Sequence, residues 1–293
     1  MNMLRIGLAQ CRQTSDFEKN SKTIFRFLAD AAAADVQILC FPETQTVGYR
    51  VDVASPPSRY PVPVEALNEL HRLVAERCGK LGMACILGTE TPLETDPKNG
   101  NPYNSSLVIN EEGVILGVHH KTRLTPLDLL AYTPGTTLET FDLFGVRVGV
   151  VICFEAMRFA ETTAECVRQG AQLVFHPQNN TTRPANWKIP IHHAMIVTRA
   201  AENTIWFASC NCCYPKHQNS CSLIVAPDGQ IHGQTELKQE QLLVSDLDIT
   251  QATRAMFLGD LEACAPVLFR DQVVPEEFLD TVREEAALGT THR

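Results

Sequence analysis

Three ionisable side chains of different type each follow a predicted β-strand at a loop junction: Glu43 after Ile38–Phe41, Lys121 after Val114–His120, and Cys153 after Val146–Ile152. Active sites of α/β proteins commonly form where loops leave the ends of strands. We therefore expect these three side chains to converge. Taken singly, each has an ordinary structural interpretation, as a loop carboxylate, a surface ammonium and a packed thiol.

Together, the three residue types supply what acyl transfer needs without a histidine. A thiol attacks as its thiolate, which a neighbouring cation such as Lys121 favours. A carboxylate such as Glu43 can take the thiol proton and return it to a leaving amine. An ammonium can also stabilise an oxyanion. The combination predicts nucleophilic catalysis by Cys153.

The elements that must position these residues alternate between strands and helices. Apolar residues at helical spacing predict helices over four ranges: Phe17–Ala34, Val64–Leu81, Arg158–Gln169 and Trp187–Asn203. Short apolar runs predict buried strands among them: Val36–Phe41, Met83–Gly88, Val146–Ile152 and Leu173–His176. Because hairpin signals interrupt the alternation, the pattern predicts an α/β fold with a mixed sheet system and helices outside, in layers.

Residues 1–250 are predicted to form one domain, because no repeat or composition break marks a linker. The tail, residues 251–293, is less regular. It carries Phe257, Leu258 and Phe269, so we expect it to pack on the domain or on a partner subunit.

Composition and charge argue against several classes of partner. The 25 Lys and Arg residues against 34 Asp and Glu residues give a net charge of −9, whereas a nucleic-acid-binding protein normally shows a basic face. No stretch reaches the roughly 18 apolar residues that span a membrane, and the N-terminal apolar run is too short for a signal peptide. We expect a cytoplasmic protein with no nucleic-acid or membrane partner.

The eleven cysteines are predicted to be reduced, because their number is odd and no secretory signal precedes them. The segment Cys210–Cys213, with His217, invites a zinc interpretation. The spacing lacks a second Cys-x-x-Cys pair to complete four ordered ligands. We expect a loop near the pocket instead, and no metal site.

Several motifs resemble those of the nitrilase (carbon–nitrogen hydrolase) superfamily, in the family's order and over most of the chain. They are Phe41-Pro42-Glu43, the lysine motif 120–124, the cysteine motif 149–161, the segment 199–203 and the Pro227-Asp228-Gly229 turn. The resemblance implies a four-layer αββα sandwich. It also implies a homodimer or larger homo-oligomer, with the C-terminal tail as an arm reaching across the interface.

The resemblance further implies a mechanism without a metal or organic cofactor. Glu43 would act as general base toward Cys153, whose thiolate attacks an amide, carbamoyl or nitrile carbon. Lys121 and the backbone N–H of Phe154 would hold the developing negative charge. An amine or ammonia leaves, and water then hydrolyses the thioester.

Some positions depart from the family pattern and mark further candidates for binding the substrate or its oxyanion. Asp128 stands where a second glutamate is frequent, counted back from Pro134-Gly135. Glu155 stands where an aspartate is common. Asn179 follows a predicted strand, in a segment where the family lines its pocket.

The residues after Cys153 resemble the amidase and carbamoylase branches more than the true nitrilases, whose cysteine is typically followed by Trp-Glu. The sequence therefore predicts hydrolysis of a small-molecule amide or N-carbamoyl bond. Nitrile hydrolysis and acyl transfer to an amine remain open alternatives, as does a non-enzymatic oligomeric scaffold.

Overall fold

The computed structural model describes residues 2–49, 62–92, 100–180, 187–215 and 218–260, together with residue 280. The strands, in chain order, are β1 Met3–Gln10, β2 Ile38–Cys40, β3 Ala84–Thr91, β4 Tyr103–Ile109, β5 Ile115–His120, β6 Thr140–Leu143, β7 Val146–Val150, β8 Leu173–Gln178, β9 Trp206–Asn211, β10 Leu223–Val225, β11 Ile231–Gln234 and β12 Gln241–Asp248. The helices are α1 Phe17–Ala33, α2 Val64–Leu81, α3 Phe154–Arg158, α4 Ala160–Arg168, α5 Lys188–Ala201 and α6 Ala255–Leu258.

The strands form two six-stranded sheets that pack face to face. One sheet has the order β12-β1-β2-β3-β4-β5, and the other has the order β11-β10-β9-β8-β7-β6. Successive side chains of a strand point to opposite faces of its sheet, so β2 contributes to the core on each side. Ile38 and Cys40 join the core between the sheets, whereas Leu39 joins the core beneath α1 and α2.

The second sheet is covered in the same way by α3, α4 and α5. Val174 on β8 and Phe207 on β9 pack with Cys166 of α4 and Ile196 of α5. Helices therefore lie outside both sheets. The predicted αββα sandwich is confirmed.

The prediction of one helix over Arg158–Gln169 is wrong at its start. The chain forms a short helix directly after Cys153, breaks at Phe159, and begins α4 at Ala160. Phe159 adopts an extended conformation (φ −128°, ψ 92°), and its ring packs edge-on against Phe154 at 5.4 Å between centroids. The spacing of apolar residues cannot reveal a single extended residue between two helices.

Two strands, β6 and β11, are absent from the sequence-based prediction. Each lies at an edge of the second sheet. In β11, Ile231 and His232 are exposed, so no apolar run marks the strand. An edge strand is held by backbone pairing on one side and needs no buried face of its own.

The predicted division at residue 250 stays a prediction. Phe257 packs against the core of α4 and α5, and Leu258 is exposed. Phe269 lies outside the described residues. Within the described ranges, none of the helices has the length and apolar character needed to cross a membrane.

Candidate active site

Glu43, Lys121 and Cys153 lie together where loops leave the two sheets. Glu43 follows β2 and Lys121 follows β5 in the first sheet, whereas Cys153 follows β7 in the second. Lys121 Nζ donates to Glu43 Oε1 at 2.6 Å. Both charged groups interact electrostatically with the Cys153 thiol. The structure thus brings the three predicted residues into one site.

The Lys121 ammonium is fully buried and held by two carboxylates. Besides Glu43, it donates to Asp128 Oδ2 at 3.0 Å. Burial acts to lower the pKa of Lys121, but Glu43, Cys153 and Asp128 raise it overall. The ammonium therefore stays protonated throughout the neutral range.

Asp128 lies in a single 3₁₀ turn, Asp128–Leu130, that turns its carboxylate inward. Its oxygens accept from the Tyr49 hydroxyl, from Lys121, and from the Thr125 N–H at 2.9 Å. Burial acts to raise the pKa of Asp128, but Lys121 and these hydrogen bonds lower it overall. An ionised Asp128 with this many donors is suited to holding Lys121 in place.

The two oxygens of Glu43 have different surroundings. Oε1 accepts from Lys121 and from Asn104 Nδ2, the latter at 2.7 Å. Oε2 is buried and has no hydrogen-bond partner among the described residues. Burial raises the pKa of Glu43, although Lys121 opposes the rise. A carboxylate with one free oxygen and a raised pKa is suited to accept a proton.

Asn104 is a site residue that the sequence analysis missed. It lies in β4, fully buried, and its backbone carbonyl also accepts from the Lys121 N–H at 2.8 Å. One residue therefore fixes both Glu43 and Lys121. In the sequence, Asn104 begins the polar stretch Asn104–Ser106 of a strand that ends in the apolar residues 107–109, and nothing in that pattern marks it as a site residue.

Cys153 differs from the other cysteines in exposure and in backbone conformation. Of the ten described cysteines, it is the one that is partly exposed, and the rest are buried. Its φ of +48° lies in the left-handed region, which residues with a Cβ seldom adopt. Burial and Glu43 raise the pKa of the Cys153 thiol, while Lys121 and the Asn179 N–H lower it.

Phe154 follows Cys153 in the chain, and the Asn179 backbone contacts the Cys153 sulfur. Phe154 is the first residue of α3, so its N–H has no partner within the helix. Asn179 directs its backbone N–H to the Cys153 thiol, while its side-chain amide donates to Gln13. The backbone of Asn179 is thus at the reacting atom, and its side chain contacts the protein.

Glu155 is fully buried, and its carboxylate contacts other groups of the protein. Its carboxylate accepts from the N–H groups of Ile152 and Thr122 and contacts His119 Nε2 at 2.8 Å. Burial acts to raise the pKa of Glu155, but His119 and these donors lower it to about 2. Glu155 ties the lysine loop to the strand end that carries Cys153.

The Cys210–Cys213 segment lies within the core. Cys210 contacts the carbonyl of Cys40 in the opposite sheet, at 3.2 Å from the sulfur, and Cys213 donates its N–H to the carbonyl of Cys11. His217 lies outside the described residues. Among those that are described, no group of three or more His, Cys, Asp or Glu side chains is arranged to hold a metal ion.

Comparison with known proteins identifies the family. The carbon–nitrogen hydrolase family profile matches residues 5–256. Omega-amidase NIT2 of Homo sapiens is 26% identical over 267 residues, covering 85% of this chain and 90% of that protein. An (R)-stereoselective amidase of Pseudomonas sp is 29% identical over 179 residues, covering 61% of this chain and 60% of that protein.

Among solved structures, a nitrilase-superfamily amidase from Nesterenkonia AN1 shares the fold. It superimposes with a TM-score of 0.73 at 23% identity, covering 88% of this chain and 93% of that one. The family profile spans most of the sequence, including all three elements that carry Glu43, Lys121 and Cys153. The chain therefore belongs to the carbon–nitrogen hydrolase family and is a hydrolase of carbon–nitrogen bonds.

Proposed function

We propose that the enzyme cleaves an amide or N-carbamoyl bond of a small molecule through a thioester on Cys153. The observation that carries the proposal is the free Oε2 of Glu43, in a carboxylate whose other oxygen is fixed by Lys121 and Asn104. The relatives named as omega-amidases and as a stereoselective amidase favour an amide over a nitrile.

In the first half-reaction, Glu43 Oε2 removes the thiol proton as the sulfur attacks the substrate carbonyl carbon. A base is needed at this step, because the raised pKa of Cys153 keeps the resting sulfur protonated. The Lys121 ammonium and the Phe154 N–H stabilise the oxyanion that forms. The tetrahedral species then expels ammonia or an amine, which takes the proton from Glu43.

In the second half-reaction, water attacks the thioester. Glu43 takes a proton from the water, and the same two donors stabilise the second oxyanion. Collapse of this species releases the carboxylic or carbamic acid, and the sulfur regains its proton from Glu43. Glu43 thus alternates between base and acid, which the raised pKa favours because it brings the carboxyl closer to neutral pH.

Asp128 and Glu155 have supporting roles in this proposal. Asp128 holds Lys121 through a hydrogen bond of 3.0 Å, and Glu155 fixes the strand end before Cys153. The Asn179 N–H lowers the pKa of the sulfur. We also propose that the enzyme acts in the cytoplasm, as a homodimer or a larger homo-oligomer.

Intact-protein mass spectrometry tests the proposal. The enzyme is incubated with small amides, N-carbamoyl amino acids and nitriles, quenched in acid, and analysed for an acyl adduct. We expect an adduct on Cys153 with an amide or carbamoyl compound and none on the Cys153→Ala variant, which should have no turnover and an unchanged melting temperature. Turnover of nitriles alone, or near-normal turnover by the variant, would contradict the proposal.

A further inference from the structure

Strand β8 binds both backbone polar groups of Cys153. The Cys153 N–H donates to the carbonyl of Pro177 at 2.9 Å, and the Cys153 carbonyl lies 2.9 Å from His176 Nε2. The first bond fixes one side of a residue whose φ is +48°. The second bond fixes the peptide that joins Cys153 to Phe154.

The hydrogen bonds around His176 define its tautomer. A carbonyl oxygen can only accept, so His176 Nε2 carries the proton and donates to Cys153. Nδ1 is then an acceptor, and the Ser209 hydroxyl donates to it at 2.9 Å. Gln178 Nε2 in turn donates to the Ser209 oxygen at 2.6 Å. Hydrogen bonds therefore run without a break from Gln178 through Ser209 and His176 to the Cys153 carbonyl.

His176 is buried and uncharged at neutral pH. Its exposed fraction is 0%, and burial lowers the pKa of His176 to about 4. A neutral ring in this tautomer has one donor, and that donor is used on the Cys153 carbonyl. Packing against Phe207, at 5.5 Å between ring centroids, also fixes the position of the His176 ring.

The hydrogen bond from His176 to the Cys153 carbonyl also orients the N–H of Phe154. The Cys153–Phe154 peptide is trans, so its C=O and N–H point in opposite directions. A carbonyl held on His176 therefore directs the Phe154 N–H away from β8. Donation to the carbonyl also polarises the peptide, which makes its N–H a stronger donor.

We propose that His176 is a positioning residue, whose Nε2–H holds the Cys153–Phe154 peptide so that the Phe154 N–H faces the oxyanion. The inference rests on the proposed function, because it assumes an oxyanion formed by attack of Cys153. His176 does not touch the substrate and acts through the peptide. The Cys153 carbonyl also accepts the Met157 N–H at 3.2 Å, so His176 orients the peptide together with the first turn of α3.

Two reactions of the same thiol separate this role from general structural support. Acylation by p-nitrophenyl acetate passes through an oxyanion, whereas alkylation by iodoacetamide displaces iodide at a saturated carbon and forms none. His176→Phe fills the site without a donor. His176→Gln supplies an amide N–H at about the position of Nε2. Burst kinetics and alkylation rates are measured for both variants, with melting temperatures.

We expect His176→Phe to lower the acylation rate roughly 10- to 100-fold, approaching the 10²–10³-fold loss typical of a deleted oxyanion donor. Alkylation should change less than about 3-fold, and His176→Gln should restore most of the acylation. Equal loss of both reactions, or of neither, would overturn the inference.

If His176→Phe does not fold, Ser209→Ala provides the test, because it removes the donor that fixes the tautomer and leaves the imidazole in place. We expect it to slow acylation roughly 3- to 10-fold with alkylation unchanged. Unchanged acylation would count against the positioning role of His176.

Cys153→Ala separates the two proposals: if that variant is still acylated, the proposed function fails. If it is inert while His176→Phe acylates normally, only the His176 inference fails.

Discussion

The two oxygens of the Glu43 carboxylate have different neighbours and therefore different roles. Oε1 is held by Lys121 and Asn104, and Oε2 is left without a partner among the described residues. Burial raises the pKa of Glu43, while Lys121 and Asn104 each lower it. Burial prevails, so Glu43 is more basic than an exposed glutamate.

Replacing Asn104 with leucine should shift the acidic limb of the pH–rate profile. Leu has a similar volume but donates no hydrogen bond, so the pKa of Glu43 should rise. A base with a higher pKa becomes protonated at higher pH, and the acidic limb of kcat/KM should therefore move upward in pH. We expect the maximal rate to fall by less than the roughly 10²–10⁴-fold that a general base contributes.

Ser106→Ala is a matched control for Asn104→Leu. Ser106 lies two residues further along β4, fully buried, and its hydroxyl has no partner among the described residues. The serine variant should keep the wild-type profile. An unshifted acidic limb in Asn104→Leu, or an equal shift in both variants, would contradict the role given to Asn104.

At the scale of elements, β3 supports the loop that carries Glu43. The Phe41 N–H donates to the Ile86 carbonyl, and the Thr46 N–H donates to the Gly88 carbonyl. The loop approaches so closely that a Cβ on Gly88 would lie 1.8 Å from the Pro42 carbonyl oxygen. Gly88 is required here by contact with backbone, which cannot rotate away.

Gly88→Ala should therefore impair both stability and catalysis. The Pro42 carbonyl must move by an ångström or more, which displaces Glu43 from Cys153. We expect a destabilisation of about 2–3 kcal/mol, as for overpacked cores, and a loss of roughly 10²-fold in kcat from misplacement of the base. Urea denaturation and steady-state kinetics measure the two effects.

Gly82→Ala separates the loop contact from the loss of a glycine. Gly82 caps α2 with a φ of +62°, and a Cβ there meets nothing within 4 Å. Its replacement should cost about 1 kcal/mol in stability and leave kcat unchanged. Normal activity in Gly88→Ala would contradict the positional argument.

The sequence predicts some elements and not others for physical reasons. Strand β8 is buried along its whole length, and β7 is buried except at Arg147, so mainly apolar runs mark both strands. β11 is an exposed edge, and Phe159 breaks a helix locally, so neither leaves a periodic signal. At the site, Glu43, Lys121 and Cys153 could be predicted from their chemical types and motif order.

Asn104 and His176 could not be assigned in the same way. Each acts on a residue far along the chain, 61 residues away for Asn104 and Glu43 and 23 for His176 and Cys153. Their roles depend on the pairing of strands in space, which spacing alone does not specify. Glu155 was predicted as a candidate for binding the substrate or its oxyanion, and its contacts with His119, Thr122 and Ile152 became evident only from the packed fold.

At the scale of the whole molecule, buried histidines link stability to pH. His71 in α2 is buried beside the Thr89 hydroxyl, at 2.7 Å, and burial lowers the pKa of His71 to about 4. Burial lowers the pKa of His176 to about 4 as well. An unfolded chain, with histidine pKa values near 6.5, binds more protons than the folded chain between pH 6.5 and 4.

The free energy of unfolding should therefore fall as the pH falls from 6.5 toward 4, and should be fully retained above that range. Each histidine contributes about 3 kcal/mol to this loss. His71→Gln should reduce the difference between pH 7 and pH 4.5 in urea denaturation. His232→Gln is the control, since His232 is exposed. An unchanged difference in His71→Gln would contradict the assignment.

Because the site takes residues from both sheets, its parts are synthesised at different times. Strands β1–β5, which position Glu43 and Lys121, end at His120, whereas Cys153 emerges later with the second sheet. The last strand, β12, returns to pair with β1 over eight residues. A nascent or truncated chain that ends before β7 has no nucleophile. One that ends before β12 leaves the edge of the first sheet open, so full reactivity toward metabolites should wait until both sheets have docked.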